Sequence, residues 1–197
     1  MAYPVERGKG YTYDDYLSWN DDRRWEIFDG VAYEKIEGPS MVSDMTPAPG
    51  RNHQSIVTNL TQVIAFFLKR KTAKVYPAPF DVRLIDGKNV NIIQPDVSVF
   101  CSTDNLDDKG ATGPPDWAIE ILSPYTKSKD LGEKFFIYEK FGVKEYWIVN
   151  PVKKTVSVFM PVDNGKYGKE KIYSEKEKIQ STLFPGFEIS LADVFAF

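Results

Sequence analysis

The chain has very little cysteine and histidine. Its 197 residues include one cysteine, Cys101, and one histidine, His53. A single cysteine excludes an internal disulfide and suits a reducing compartment, so we expect a cytoplasmic protein. One cysteine and one histidine together also exclude a zinc cluster built from Cys and His ligands.

Long apolar runs and glycine-rich catalytic loops are missing as well. Residues 1–10 lack the apolar segment of a signal peptide, and the longest apolar stretch, near 63–68, is too short to cross a bilayer. No G-x-S-x-G, P-loop or G-x-G-x-x-G motif is present. The net charge is −3, so binding of nucleic acid would need a local basic patch. Nothing in the sequence predicts a membrane partner.

What is present is typical of one α/β domain over residues 1–197. Apolar residues at helical spacing predict a long helix from about Asn52 to Lys71 and a second from about Ser128 to Phe141. The turn residues Asp29-Gly30 and Asp163-Asn164-Gly165 predict an N-terminal and a C-terminal β-hairpin.

The middle of the chain predicts a sheet. Residues Asn91 to Phe100 read as one strand, 101–115 as a loop, and 117–122 as a further strand. The order strand, strand, helix, strand between residues 91 and 150 predicts a mixed β-sheet flanked by helices.

Three charged residues stand in apolar surroundings. Asp96 begins the run 96–100, and Glu120 lies inside the run 117–122. Lys134 falls on the apolar stripe of the second predicted helix. The other members of that stripe are Leu131, Phe135, Tyr138 and Phe141. Because a buried charge is costly unless it is paired or bound to metal, these placements predict one shared site.

The chemistry follows from how the two acids could meet. If their strands pair antiparallel with Asp96 opposite Glu120, the side chains share a face about 5 Å apart at Cβ. A divalent cation would relieve their repulsion, and Mg²⁺ takes one or two carboxylates plus water and phosphate oxygens. Lys134 would orient or deprotonate the attacking water, or neutralise charge in the transition state. Simpler interpretations stay open, among them a strand-entry acid, an ion-paired acid and a lysine paired with Asp130.

Three further residues are candidates for the same site. His53 lies on the apolar stripe at the start of the first helix, where a lone histidine is more often structural than catalytic. Glu26, in the N-terminal hairpin, either ligates the cation or faces solvent. Gln94 precedes Asp96 by two residues and should share its strand face.

Several motifs carry a family resemblance. They are His53, Gln94-Pro95-Asp96, Glu120 to Thr126, Asp130 to Lys134, Gly142 to Trp147, Asp29-Gly30 and Phe184-Pro185-Gly186. Together they resemble the Uma-two family of restriction endonucleases, over nearly the whole chain from about residue 12. That family is similar to the PD-(D/E)xK nucleases, in which a mixed sheet flanked by helices carries a metal-dependent phosphodiesterase site. Leu122 stands where the lysine of the second half-motif belongs, and the resemblance implies that Lys134 replaces it from the following helix.

The resemblance implies an endonuclease that depends on Mg²⁺ or Mn²⁺ and acts on DNA. We also expect a homodimer, because nucleases that cut both strands are often dimers. Asp96 and Glu120 would hold the cation together with the backbone carbonyl of Ile121. Lys127 and Lys129 would contact phosphates nearest the site. Further basic candidates are Lys69, Arg70, Lys71 and Lys74.

Two alternatives stay open at this point. The chain could be a nuclease fold without turnover that serves as a binding or regulatory module, an option that its acidic balance favours. Asp96 and Glu120 could instead be the acid and nucleophile of a glycosidase, a reading that leaves Lys134 without a role.

Overall fold

The computed structural model describes residues 10–20, 23–34, 50–123 and 132–196. Within these residues the helices are α1 Tyr13–Leu17, α2 Arg51–Leu68, α3 Glu133–Lys140 and α4 Leu191–Val194. The first strands are β1 Trp25–Phe28, β2 Val31–Glu34, β3 Lys74–Pro77, β4 Val82–Asp86, β5 Asn89–Ile93, β6 Val97–Phe100, β7 Leu106–Asp107 and β8 Gly110–Ala111. The later strands are β9 Trp117–Ile121, β10 Glu145–Asn150, β11 Thr155–Phe159, β12 Lys171–Ser174, β13 Lys178–Gln180 and β14 Glu188–Ser190. None of the described helices is long and apolar enough to span a membrane.

Most of the strands belong to two six-stranded sheets. The first sheet has the order β2-β1-β5-β4-β8-β7, and the second sheet has the order β12-β11-β10-β9-β6-β3. Each sheet is mixed, because β4 runs parallel to β8 and β9 runs parallel to β10, whereas the other pairs are antiparallel. This mixed α/β architecture confirms the predicted fold class.

Helix α2 covers one face of the second sheet. Its residues Ile56, Leu60, Ile64 and Leu68 recur at helical spacing and are buried. They share one apolar cluster with residues of β6, β9 and β10, namely Val97, Val99, Trp117, Ile119 and Trp147. The first predicted helix is therefore confirmed, and its apolar stripe fixes it against the sheet.

Helix α3 covers the opposite face, in the crossover between the parallel strands β9 and β10. Its Tyr138 is buried in a cluster with Ala118, Tyr146 and Ile148. Because successive residues of a strand point to opposite faces, Glu120 faces α3 while its neighbours in β9 face α2. The second predicted helix is confirmed over 133–140, and residues 124–131 lie outside the described residues.

Both predicted hairpins are present. Strands β1 and β2 meet at Asp29 and Gly30, whose φ angles of 47° and 78° are the left-handed values that a tight hairpin turn needs. Strands β11 and β12 pair antiparallel on either side of residues 160–170. The first hairpin places Glu26 in the first sheet.

The prediction of one strand from Asn91 to Phe100 is wrong. Strand β5 ends at Ile93 and pairs within the first sheet, whereas β6 begins at Val97 and pairs within the second. Pro95 has no N–H to continue a ladder, so the chain leaves one sheet and enters the other there. The predicted loop over 101–115 is also wrong in part, because β7 and β8 extend the first sheet.

Candidate active site

Asp96 lies at the point where the chain enters the second sheet. Strands β6 and β9 pair antiparallel with Val97 opposite Ile119, so Asp96 comes one residue further out, at the level of Glu120. The Ile121 N–H donates a hydrogen bond of 2.8 Å to Asp96 Oδ2. The backbone of β9 therefore holds the Asp96 carboxylate through the residue that follows Glu120.

His53 approaches the same carboxylate from α2. Its Nε2 lies 3.2 Å from Asp96 Oδ2, and its side chain is largely buried. His53 belongs to the first turn of α2, and the N-terminal end of a helix carries a partial positive charge. With its proton on Nε2, the ring would donate a hydrogen bond to Asp96.

Lys134 is buried between two carboxylates. Its side chain is 2% exposed, and its Nζ lies 2.9 Å from Glu120 Oε1 and 3.1 Å from Glu26 Oε1. Glu120 belongs to the second sheet, Glu26 to the first and Lys134 to α3. Three parts of the fold thus meet at one charged cluster, which brings together residues that the sequence proposed separately.

Tyr138 completes this cluster and was missed as a site residue by the sequence reasoning. Its hydroxyl donates a hydrogen bond of 2.6 Å to Glu120 Oε1, the same oxygen that pairs with Lys134. Burial and the neighbouring Glu120 carboxylate raise the pKa of the Tyr138 hydroxyl well above its usual value. The available signal was its spacing of four residues from Lys134, which puts both side chains on one face of α3.

Gln94 supports the site through its backbone. Its N–H donates a 2.9 Å hydrogen bond to Glu26 Oε1. Its side chain instead donates to Asp81 Oδ1 at 2.9 Å and accepts from Arg24. The expectation that Gln94 and Asp96 share a strand face is wrong, because the chain changes sheet between them.

Comparison with known proteins places the chain in a family and gives it a structural relative. The family model for Uma2, described as "Putative restriction endonuclease", matches residues 13–192. The chain belongs to the Uma2 family. An uncharacterized protein of Synechocystis sp. (strain PCC 6803) is 24% identical over 157 residues, which cover 78% of this chain and 76% of the relative. The crystal structure described as a "putative nuclease belonging to DUF820" from Anabaena variabilis shares the fold, with a TM-score of 0.70, 22% identity and coverage of 94% and 97% of the two chains.

The donor atoms of this Uma2 chain fit a hard divalent cation. Asp96 and Glu120 offer carboxylate oxygens, and Mg²⁺ needs only one or two of these besides water and phosphate oxygens. In the described ranges no group of three or more His, Cys, Asp or Glu side chains is arranged to hold a metal ion. A cation held here would thus depend on water and substrate for the rest of its shell. A role for the Ile121 carbonyl as a ligand stays a prediction.

The basic residues predicted to contact phosphates divide into two groups. Lys127 and Lys129 lie outside the described residues. Lys69, Arg70, Lys71 and Lys74 follow the C-terminal end of α2, whereas His53 lies near its N-terminal end. At about 1.5 Å per residue, roughly 24 Å of helix separates His53 from Lys69. Lys69 is therefore too far from the carboxylates to contact a phosphate bound there.

A basic turn lies at the same end of the second sheet as the carboxylates. Because β9 and β10 are parallel with Glu120 beside Ile148, the turn 151–154 follows β10 at this end. Asn150 Oδ1 accepts hydrogen bonds from the backbone N–H groups of Val152 at 3.1 Å and Lys153 at 3.0 Å, which fixes the turn. Lys153 in this turn is exposed. The sequence reasoning passed over Lys153 because only the parallel register shows its position.

The buried lysine gives a first test. We expect Lys134→Met to lower the free energy of unfolding by about 3–5 kcal/mol, because the buried Glu26 and Glu120 side chains would lose the ammonium group that pairs with both. Urea denaturation measures this change. Lys144→Met is the matched control, since Lys144 pairs with Asp116 at 2.7 Å but is 60% exposed, and we expect a loss below about 1 kcal/mol. Equal losses in the two variants would contradict the buried cluster.

Proposed function

We propose that this Uma2 chain is an endonuclease that hydrolyses DNA phosphodiester bonds with Mg²⁺ or Mn²⁺. The observation that carries the proposal is the position of Lys134, whose Nζ reaches Glu120 Oε1 at 2.9 Å from a helix rather than from strand β9. An acid pair with a lysine beside it is the arrangement that the PD-(D/E)xK resemblance requires. Leu122, at the expected lysine position, instead packs with the apolar cluster under α3.

The residues have separate tasks in the proposed reaction. Asp96 and Glu120 would hold the cation. A bound Mg²⁺ supplies positive charge at the phosphoryl oxygens and makes a water molecule more acidic. The ammonium of Lys134 lies beside Glu120, where its charge would orient the attacking water or stabilise charge that develops on the phosphate, and Glu26 keeps it in place. The water loses one proton to solvent as its oxygen bonds to phosphorus, the bond to the sugar oxygen breaks, and that oxygen takes up a proton from solvent.

His53 acts through Asp96 in this scheme. Its ring lies against Asp96 Oδ2, the oxygen that also accepts the Ile121 N–H. These contacts fix the rotation of the carboxylate, in the manner of the partners that orient metal-binding carboxylates elsewhere. His53 is therefore a positioning residue in the proposal. A homodimer, which would cut both strands, and a cytoplasmic location stay predictions.

A second candidate function is a nuclease fold that binds without turnover. The same ion pairs favour it, because Lys134 already offsets one of the two negative charges of Glu26 and Glu120 without a metal ion. Such a module would bind DNA or protein with no dependence on Mg²⁺. Cleavage separates the two candidates.

The cleavage test uses supercoiled plasmid DNA with Mg²⁺ or Mn²⁺. We expect the wild type to nick or linearise the plasmid and Glu120→Gln to lose this activity, because the substitution removes one of the two charges that would hold the cation. Asp116→Asn is the control, since Asp116 is an acid near the opposite end of β9 that pairs with Lys144. Cleavage retained by Glu120→Gln would contradict the assigned site. Absence of cleavage in the wild type with either metal would favour the binding module.

The turn 151–154 is the part of the described surface that we assign to the DNA backbone. From the level of Glu120, strand β10 continues for about 7 Å before the turn begins. A lysine side chain that starts at this distance from the site can reach a phosphate next to the scissile one. The exposed Lys153 would therefore contact the backbone without reading the bases.

Binding measured at several salt concentrations tests this surface. We expect Lys153→Ala to weaken binding of a short duplex and to reduce the slope of log K against log salt by about 1, because one phosphate contact is lost. Fluorescence anisotropy measures this binding in a buffer with Ca²⁺ in place of Mg²⁺ or Mn²⁺, which limits cleavage of the duplex. Lys69→Ala, at the far end of α2, should leave both quantities unchanged. A larger effect of Lys69→Ala than of Lys153→Ala would place the DNA at the other end of the sheet.

A further inference from the structure

Tyr138 makes a contact that the proposed reaction does not yet use. Its side chain is completely buried, and its hydroxyl donates to Glu120 Oε1 at 2.6 Å. Lys134 Nζ approaches the same oxygen at 2.9 Å. One oxygen of the acid is thus held by two donors from a single face of α3.

The ring of Tyr138 has little freedom to move. It packs edge-on against Tyr146 with ring centroids 5.0 Å apart, inside the cluster that contains Ala118 and Val143. The Tyr138 backbone carbonyl accepts a 2.9 Å hydrogen bond from the Val143 N–H, which anchors the end of the helix. A hydroxyl fixed in this way determines the direction of its hydrogen bond. A short hydrogen bond from a hydroxyl group to an ionised carboxylate is also among the stronger hydrogen bonds in proteins.

We propose that Tyr138 is a positioning residue, whose hydroxyl holds Oε1 of Glu120 and so sets the orientation of this carboxylate toward a divalent cation. The inference rests on the proposed function, since it concerns the same acid. Tyr138 touches neither substrate nor cation and acts through Glu120. Hydrogen-bond partners of metal-binding carboxylates commonly have this effect on metal affinity.

A second tyrosine shows what a purely structural hydroxyl looks like in this protein. Tyr167 contacts the same aromatic cluster, with its ring centroid 6.2 Å from that of Tyr146. Its hydroxyl donates to the backbone carbonyl of Val143 at 3.0 Å rather than to an acid. Removal of either hydroxyl therefore costs one largely buried hydrogen bond, but only one of the two bonds reaches Glu120.

The experiment compares Tyr138→Phe with Tyr167→Phe, because both keep the ring and remove one oxygen. We expect Tyr138→Phe to weaken Mn²⁺ binding about tenfold in calorimetry, and Tyr167→Phe to leave it unchanged. With plasmid substrate, Tyr138→Phe should lower kcat while KM for DNA stays the same. Thermal unfolding should show a lower Tm in both variants, with the larger loss in Tyr138→Phe because its hydrogen bond to a buried acid is the stronger one.

The outcomes distinguish failure of the positioning role of Tyr138 from failure of the proposed function. Wild-type protein that binds Mn²⁺ together with a Tyr138→Phe variant of equal affinity and kcat would overturn the positioning role and leave the proposed function standing. Wild-type protein that binds no Mn²⁺, with or without duplex DNA, would overturn both.

A measurement on the unmodified chain covers the case in which Tyr138→Phe does not fold. Carbon NMR of protein labelled at the tyrosine ring Cζ reports the hydrogen bond of each hydroxyl. Addition of Mg²⁺ should shift the Tyr138 signal and leave the Tyr167 signal in place. Unchanged signals at saturating Mg²⁺ would overturn the proposal.

Discussion

The ammonium group of Lys134 joins the three parts of this fold. It lies between Glu120 of the second sheet and Glu26 of the first, and it is brought there by a helix that covers one face of the second sheet. Charges this deeply buried are tolerated only with close partners, so the two sheets and the helix must keep their relative positions for the cluster to persist. The apolar side chains beneath α3 supply that rigidity, with Tyr138 packed against Tyr146. The same packing that stabilises the domain therefore fixes the geometry of the proposed site.

The change of sheet at Pro95 gives the site its second constraint. A continuous strand would have kept Gln94 and Asp96 on one face. Instead, the Gln94 N–H supports Glu26, while the Asp96 carboxylate is held by the Ile121 N–H. The segment 94–96 thereby supports Glu26 in the first sheet and supplies Asp96 at the entry to the second. The antiparallel pairing of β6 with β9 then places Asp96 at the level of Glu120.

Much of the site could be predicted from local sequence pattern, and the remainder depends on contacts between distant segments. Asp96, Glu120 and Lys134 were visible because a charge in an apolar run or stripe is unusual, whatever the fold. Tyr138 gave no such signal, since a tyrosine on a buried stripe is ordinary and only the position of Glu120 gives its hydroxyl a partner. The break at Pro95 was overlooked because the apolar residues on both sides read as one strand. Lys153 needed the parallel register of β9 and β10, which no local pattern contains.

The proposed function depends on a divalent-cation site formed by Asp96 and Glu120. Calorimetric titration of Mn²⁺ into the wild type and into Asp96→Asn is the decisive measurement, because carboxylate ligands bind Mn²⁺ as they bind Mg²⁺ and the variant removes one charge with little change in shape. We expect saturable binding to the wild type and its loss in Asp96→Asn. Equal binding by both proteins, or no binding by either in the presence of duplex DNA, would contradict it.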